Sequence, residues 1–223
     1  MFKFSFSRRD SIAIILFNAT PLIFSALAVS IGFKMGLFNI GIEGQYLMGT
    51  FLAALVGFSI KGLPAAIHLP MVILAGIVGG MIWSFIPIFL KVKRGVHEVI
   101  STIMLNYVSY SLIHYFIADV FKDKQQQLVE GLGSVLVRTP KLAASALIPK
   151  MHGFLALFGI QLPKHVCLNW FFPISVLLAV GIYYLIMHTP FGYELRAVGH
   201  NPEASRIAGI NPDRIYFKGF ILS

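Results

Sequence analysis

The sequence predicts an all-α, polytopic bundle of transmembrane helices, and three observations carry that class. Of its 223 residues, 57% are hydrophobic and only 12% are charged, where a soluble domain carries about 25% charged residues. Mean hydropathy is +0.80, more apolar surface than water solvates, so a bilayer takes its place. Five runs, near 12–33, 37–60, 64–90, 98–118 and 169–188, are long and apolar enough to cross roughly 30 Å of hydrocarbon at about 20 residues each. Unpaired backbone is costly in lipid and the runs lack the alternation of barrel strands, so helices are expected.

Along the chain, Met1–Asp10 leads into the first run without a small-residue cleavage site, so no signal peptide is expected. The third run exceeds the bilayer's need and is expected to tilt or to leave its ends outside. Residues 119–168 form the largest non-spanning segment. Leu142–Leu162 within it is apolar, but Pro149, Lys150, His152 and Gly153 sit at its centre, where an ammonium costs about 3 kcal/mol. A packed loop or short surface helices are expected there. A sixth run, Ile215–Ser223, reaches only about 14 Å as helix. The chain is therefore expected to hold five complete spans and one truncated span, as a fragment of a longer protein forming one transmembrane domain, 1–223.

The net charge of +9 raises nucleic acid as a partner, but the basic residues are scattered. Their longest cluster, Lys91-Val92-Lys93-Arg94, lies at a predicted helix end, where basic residues face the cytoplasmic headgroups. No nucleic acid partner is expected. That cluster puts 91–97 in the cytoplasm; alternation then puts 189–214 inside and 119–168 outside. Total Lys/Arg counts on the two sides are nearly equal and do not set the orientation. The single cysteine, Cys167, excludes an internal disulfide framework and a thiolate metal cluster, and no metal site is expected.

The segment 189–214 carries the most information. Asn201, Pro202 and Glu203 read as N-cap, first helical residue and first-turn acid, and Gly209 as the residue that closes a helix of about seven residues. Asn211-Pro212 restarts the chain with the same signal. A helix over 202–208 is too short for the membrane and too well capped for a slack linker. Its Ala204, Ile207 and Ala208, beside Glu203 and Arg206, form a small apolar face suited to a groove on a partner. An interfacial helix packed on its own protein has the same local pattern.

The pattern Thr-x-x-Gly-x-x-Leu-Arg-Ala-x-Gly-x-Asn-x-x-Ala-x-x-x-Gly-Ile, from Thr189 to Ile210, resembles the cytoplasmic coupling loop of bacterial ABC importer permeases. The family is that of the simple-sugar and branched-chain amino-acid permeases. Gly36-Leu-Phe-Asn-Ile-Gly-Ile-Glu-Gly-Gln45 and Glu98-Val-Ile-Ser-Thr-Ile-Met-Leu-Asn106 resemble its nucleoside-type branch, whose binding proteins are basic membrane lipoproteins. The three motifs stand in the family's order and cover nearly the whole chain. The family pattern has a helix before residue 1 and several after 223, so the chain departs from it at both ends.

The resemblance implies a permease subunit in a bacterial inner membrane, importing nucleosides or simple sugars by alternating access. A partner ATPase would bind the ATP and magnesium, since this chain has no Gly-Lys dipeptide and so no Walker A loop. The other implied partners are a second permease subunit, homologous or identical, and an extracytoplasmic substrate-binding lipoprotein. The residues implied to meet the ATPase are Glu194, Arg196, Ala197, Gly199, Asn201, Pro202, Ala204, Gly209 and Ile210.

For the solute pathway the candidates are Asn39, Glu43, Gln45, Ser101, Thr102, Asn106 and Tyr107. An intramembrane carboxylate is expensive and defaults to a functional role. If the second helix starts at Leu37, however, Glu43 is only about 9 Å deep and interfacial capping competes. The run 98–118 offers hydrogen-bonding groups and aromatic rings for a sugar or nucleoside, with interhelical polar packing as the competing account. Gly32-x-x-x-Gly36 and Gly76-x-x-x-Gly80 read as packing, and His68, His114 and His188 as structural or interfacial.

An enzyme is not expected. His97-Glu98 begins like a zinc-protease helix but lacks the second histidine, and no Gly-x-Ser-x-Gly elbow occurs. The alternative within transport is an ATP-independent secondary transporter or channel. That class is expected to show buried coupling-ion acids, yet Glu43 is the one acid well inside a predicted span.

Overall fold

The computed structural model describes residues 11–122, 139–156, 163 and 166–223, and every regular element among them is helical. In chain order these are α1 (Ser11–Lys34), α2 (Ile42–Ser59), α3 (Ala65–Arg94), α4 (Glu98–Tyr115), α5 (His152–Ala156), α6 (Phe171–His188), α7 (Pro190–His200), α8 (Pro202–Ile207) and α9 (Pro212–Leu222). A π-helical turn, Phe116–Val120, prolongs α4, and a 3-10 turn covers Ala144–Ala146. By length and composition α1, α3 and α6 could each cross a membrane. Helices α2 and α4 occupy the other two predicted runs at 18 residues each, with more polar groups along them. The segment 119–168, expected as a loop, lies partly outside the described residues, at 123–138, 157–162 and 164–165; around these, among the described residues, lie short turns and α5.

Small residues let α2 and α3 approach closely. A Cβ on Gly49 would meet the Gly76 carbonyl oxygen at 2.8 Å, and one on Gly79 the Met48 carbonyl oxygen at 2.9 Å. The Gly76–Gly80 motif therefore packs helices, as predicted. Phe24 of α1 meets Phe171 of α6 edge-on at 6.1 Å, and Phe85 of α3 meets Phe217 of α9 at 5.9 Å.

The chain has two distinct ends. At one, Ile31, Met35, Leu37, Ile88, Ile186, Leu195, Val198, Ile215 and Phe220 form the main buried core, and the last turns of α1 and α3 carry Lys34, Lys91, Lys93 and Arg94. There Lys91 at the foot of α3 pairs with the buried Glu98 at the start of α4, 2.7 Å apart. At the other, Ala13 of α1 packs with Met151, Val166 and Leu168. His68 is fully buried there, with Nδ1 2.8 Å from Ser145 Oγ and Nε2 3.3 Å from the Val56 carbonyl oxygen. It is a satisfied structural histidine that pins the 139–147 segment onto α2 and α3.

Two elements differ from the sequence reading. The second helix starts at Ile42, and residues 35–41 are non-helical. Gly36, at φ +73, turns the chain out of α1, and Asn39 Oδ1 takes the Gly41 N–H at 3.0 Å, a local bond that competes with helix. Residues 190–200 are not loop but the helix α7. Thr189 caps it by accepting the Gly192 N–H at 3.1 Å, with Pro190 as first residue. Two glycines within this stretch and the abutting end of α6 hid that signal.

Candidate functional site

Two features of the bundle bear on function, and the first is the polar start of α2. Its first-turn N–H groups need acceptors, and Gly41 offers no side chain to cap them. Asn106 of α4 supplies the cap from a neighbouring helix. Its Oδ1 accepts the Gly44 N–H and its Nδ2 donates to the Ile40 carbonyl oxygen, both at 3.0 Å. Gly44 is small so that this can happen: a Cβ there would lie 2.8 Å from Asn106 Oδ1 and 2.9 Å from Trp83 Nε1. The Trp83 indole N–H is buried against this junction and has no hydrogen-bond partner among the described residues.

These bonds set the height of the junction. Asn106 is eight residues beyond Glu98, about 12 Å up α4. Tyr110 is twelve residues beyond it, about 18 Å up, and its hydroxyl donates to Glu43 Oε1. Below it, Asn39 Nδ2 donates to Ser223 Oγ at 3.1 Å, and that hydroxyl donates to the Ala28 carbonyl oxygen of α1 at 2.7 Å. Glu43 thus stands beside Tyr110 in the upper half of α4, away from the Lys91–Glu98 end.

The pathway candidates divide into two groups. Asn39, Gln45, Ser101, Thr102 and Asn106 are buried and bonded within the chain. Gln45 Nε2 reaches Asn39 Oδ1 at 3.5 Å, while the Ser101 and Thr102 hydroxyls donate to the Glu98 carbonyl oxygen at 3.0 and 2.8 Å. Glu43 and Tyr107 face outward, with Tyr107 70% exposed. Tyr110, one of the aromatic rings of the 98–118 run, shares that face, and so do Tyr46 and Thr50, which the sequence reading leaves out. Their spacing, 43-46-50 on α2 and 107-110 on α4, is the signal that could have found them.

Replacing Asn106 by Leu leaves the Gly44 N–H and the Ile40 carbonyl without partners, at about 1–3 kcal/mol for each buried group. Thermal unfolding in detergent is expected to shift down by several degrees, and an unchanged midpoint would show that the cap does not hold α2.

The second feature is the α7–α9 end. Asn201 Oδ1 accepts the Glu203 and Ala204 N–H groups, both at 3.0 Å, and Gly209 closes α8 at φ +85, as the capping pattern predicts. Asn211 Oδ1 then caps α9 through the Arg214 N–H at 3.2 Å. Only Ser205 of α8 is buried, while Ala204, Ala208 and Gly209 are exposed and Ile207 is 90% exposed.

Helix α7 is the foot on which α8 stands. Leu195 and Val198 are fully buried in the core, and Arg196 Nη1 donates to the Ile186 carbonyl oxygen at the end of α6. Gly199 lies so close to α1 that a Cβ would overlap the Lys34 carbonyl oxygen. Of the coupling candidates, Arg196, Ala197 and Gly199 therefore lie in this half-buried foot. Glu194 and Ile210 are half-buried too, and Asn201, Pro202, Ala204 and Gly209 stand in the open.

Residues 11–223 match a protein family described as branched-chain amino acid transport system / permease component. The chain is 37% identical over 204 residues to the guanosine ABC transporter permease protein NupP of Bacillus subtilis, covering 92% of this chain and 53% of that protein. It is 31% identical over 222 residues to the glucose ABC transporter permease protein TsgB13 of Haloferax volcanii, covering 100% and 56%. It is 31% identical over 203 residues to the nucleoside ABC transporter permease protein NupB of Lactococcus lactis, covering 91% and 53%. The chain spans about half the length of these curated relatives. No solved structure matches it.

Proposed function

The chain belongs to the family of branched-chain amino acid transport system permease components, and from that premise we propose that it is a transmembrane permease subunit of an ATP-driven importer for nucleosides or simple sugars. The relatives named for guanosine, nucleosides and glucose handle uncharged solutes rich in hydroxyl groups, and that is the substrate class assigned here. The observation that carries the reading is α8. A six-residue helix with caps at both ends and an isoleucine 90% exposed gains nothing from its own fold by showing that side chain to water. It gains by inserting it into a groove on a partner.

In this reading the Lys/Arg-rich end faces the cytoplasm and α8 seats in the ATPase subunit, with α2 and α4 crossing the inner membrane beside α1, α3 and α6. The α7 foot, wedged on α1 at Gly199 and on α6 at Arg196, passes the ATPase's two-state motion into the bundle. The outward α2–α4 face, with Glu43, Tyr46, Tyr107 and Tyr110, lines the solute path against a second permease subunit. An extracytoplasmic lipoprotein delivers the solute to the opposite end.

Uptake of labelled solutes tests the assignment. Cells lacking this chain are expected to lose ATP-dependent uptake of purine nucleosides, and calorimetry on the partner lipoprotein is expected to show tighter binding of purine nucleosides than of free ribose. Unchanged uptake sinks the permease assignment; a reversed preference sinks only the nucleoside arm.

A further inference from the structure

The outward surfaces of the bundle are largely apolar. On α1, α3 and α6 the exposed side chains are apolar along most of their length, with Leu22, Ile82 and Leu177 at 68%, 58% and 71%, as a lipid face requires. The α2–α4 face also exposes Ile100, Met104 and Val108, at 60%, 65% and 50%, but beside the rings of Tyr46, Tyr107 and Tyr110 it carries the carboxylate of Glu43. Among the described residues no Lys, Arg or His lies within ion-pair distance of Glu43, whose hydrogen-bond partner is the Tyr110 hydroxyl. On the reading that α2 and α4 cross the membrane, Glu43 is set inside the bilayer, beyond the Lys91–Glu98 end and beside Tyr110, twelve residues up α4. A carboxylate facing lipid at that depth is expensive, so the face meets water.

We propose that Glu43, oriented by Tyr110, is a charge filter in the solute pathway. It admits uncharged hydroxyl-bearing or cationic solutes and repels phosphate esters of the same solutes. An ionised carboxylate accepts hydrogen bonds and donates none, so it pairs with sugar hydroxyls and amines but has nothing to offer a phosphate oxygen except repulsion. Between low-dielectric walls the field of one uncompensated charge reaches further than in bulk water. Tyr110 donates to one carboxylate oxygen and leaves the other for solute. The proposal rests on the reading that the α2–α4 face lines the path.

The test reads the field directly, on the assembled importer in membrane vesicles with Cys167→Ser as background. Tyr107→Cys places a thiol one helical turn from Tyr110, at a side chain whose exposure means no packing is lost. Its labelling rates by a cationic trimethylammonium thiosulfonate and an anionic sulfonate thiosulfonate are measured by mass spectrometry of this chain. The cation is expected to react faster, and Glu43→Gln, which keeps an acceptor for Tyr110, is expected to lower the cation-to-anion rate ratio at least about fivefold. A reactive thiol whose ratio ignores Glu43→Gln overturns the filter and leaves the pathway reading standing. A thiol that reacts with neither reagent, with or without ATP, overturns both.

Discussion

Ala204→Arg and Ile207→Glu are each expected to reduce uptake by more than tenfold while the protein inserts in the membrane in normal amount. Both side chains are exposed, Ile207 at 90%, so neither change disturbs the core. Truncating or charging a central apolar anchor of an interface costs about 2 kcal/mol or more, a factor of roughly 30 in affinity. The readouts are co-purification of the ATPase subunit, which is expected to fall, and solute uptake, which is expected to fall with it. Normal co-purification and uptake in both variants would remove α8 as the docking element.

Gly199→Val is expected to have an effect of similar size by another route. A Cβ at residue 199 would overlap the Lys34 carbonyl oxygen, and both partners are backbone held in helix ends, so one helix must move. Overpacking of this kind costs about 1–3 kcal/mol. Since α7 carries α8, the expected signature is retained ATPase binding through the intact α8 surface, with uptake lost and the thermal midpoint lowered. Loss of ATPase binding with a normal midpoint would instead place Gly199 in the contact itself.

Much of this was legible from residue order. Asn201-Pro202 and Asn211-Pro212 announce their helices because capping is local: an Asn side chain reaches N–H groups two and three residues on. The apolar runs of α1, α3 and α6 were plain for the same reason, since composition alone sets their preference for lipid. The start of α2 was placed five residues early because its cap is Asn106, from α4, sixty-two positions away from Gly44. The polar residues around it were collected into one pathway group, although Asn39, Gln45 and Asn106 turn inward and Glu43 and Tyr107 turn outward.

By itself, then, the sequence determined the helical class, the capped helix near 202–208 and the family, all of which depend on composition or on neighbours a few residues apart. The tertiary structure decided the exposure of Glu43 beside Tyr110, the foot that joins α8 to α1 through Gly199, and which polar side chains are bonded within the bundle. Those depend on the register of one helix against another. Register is set by close packing at Gly44, Gly49 and Gly199, where one side-chain carbon more would clash, and no local pattern names the partner.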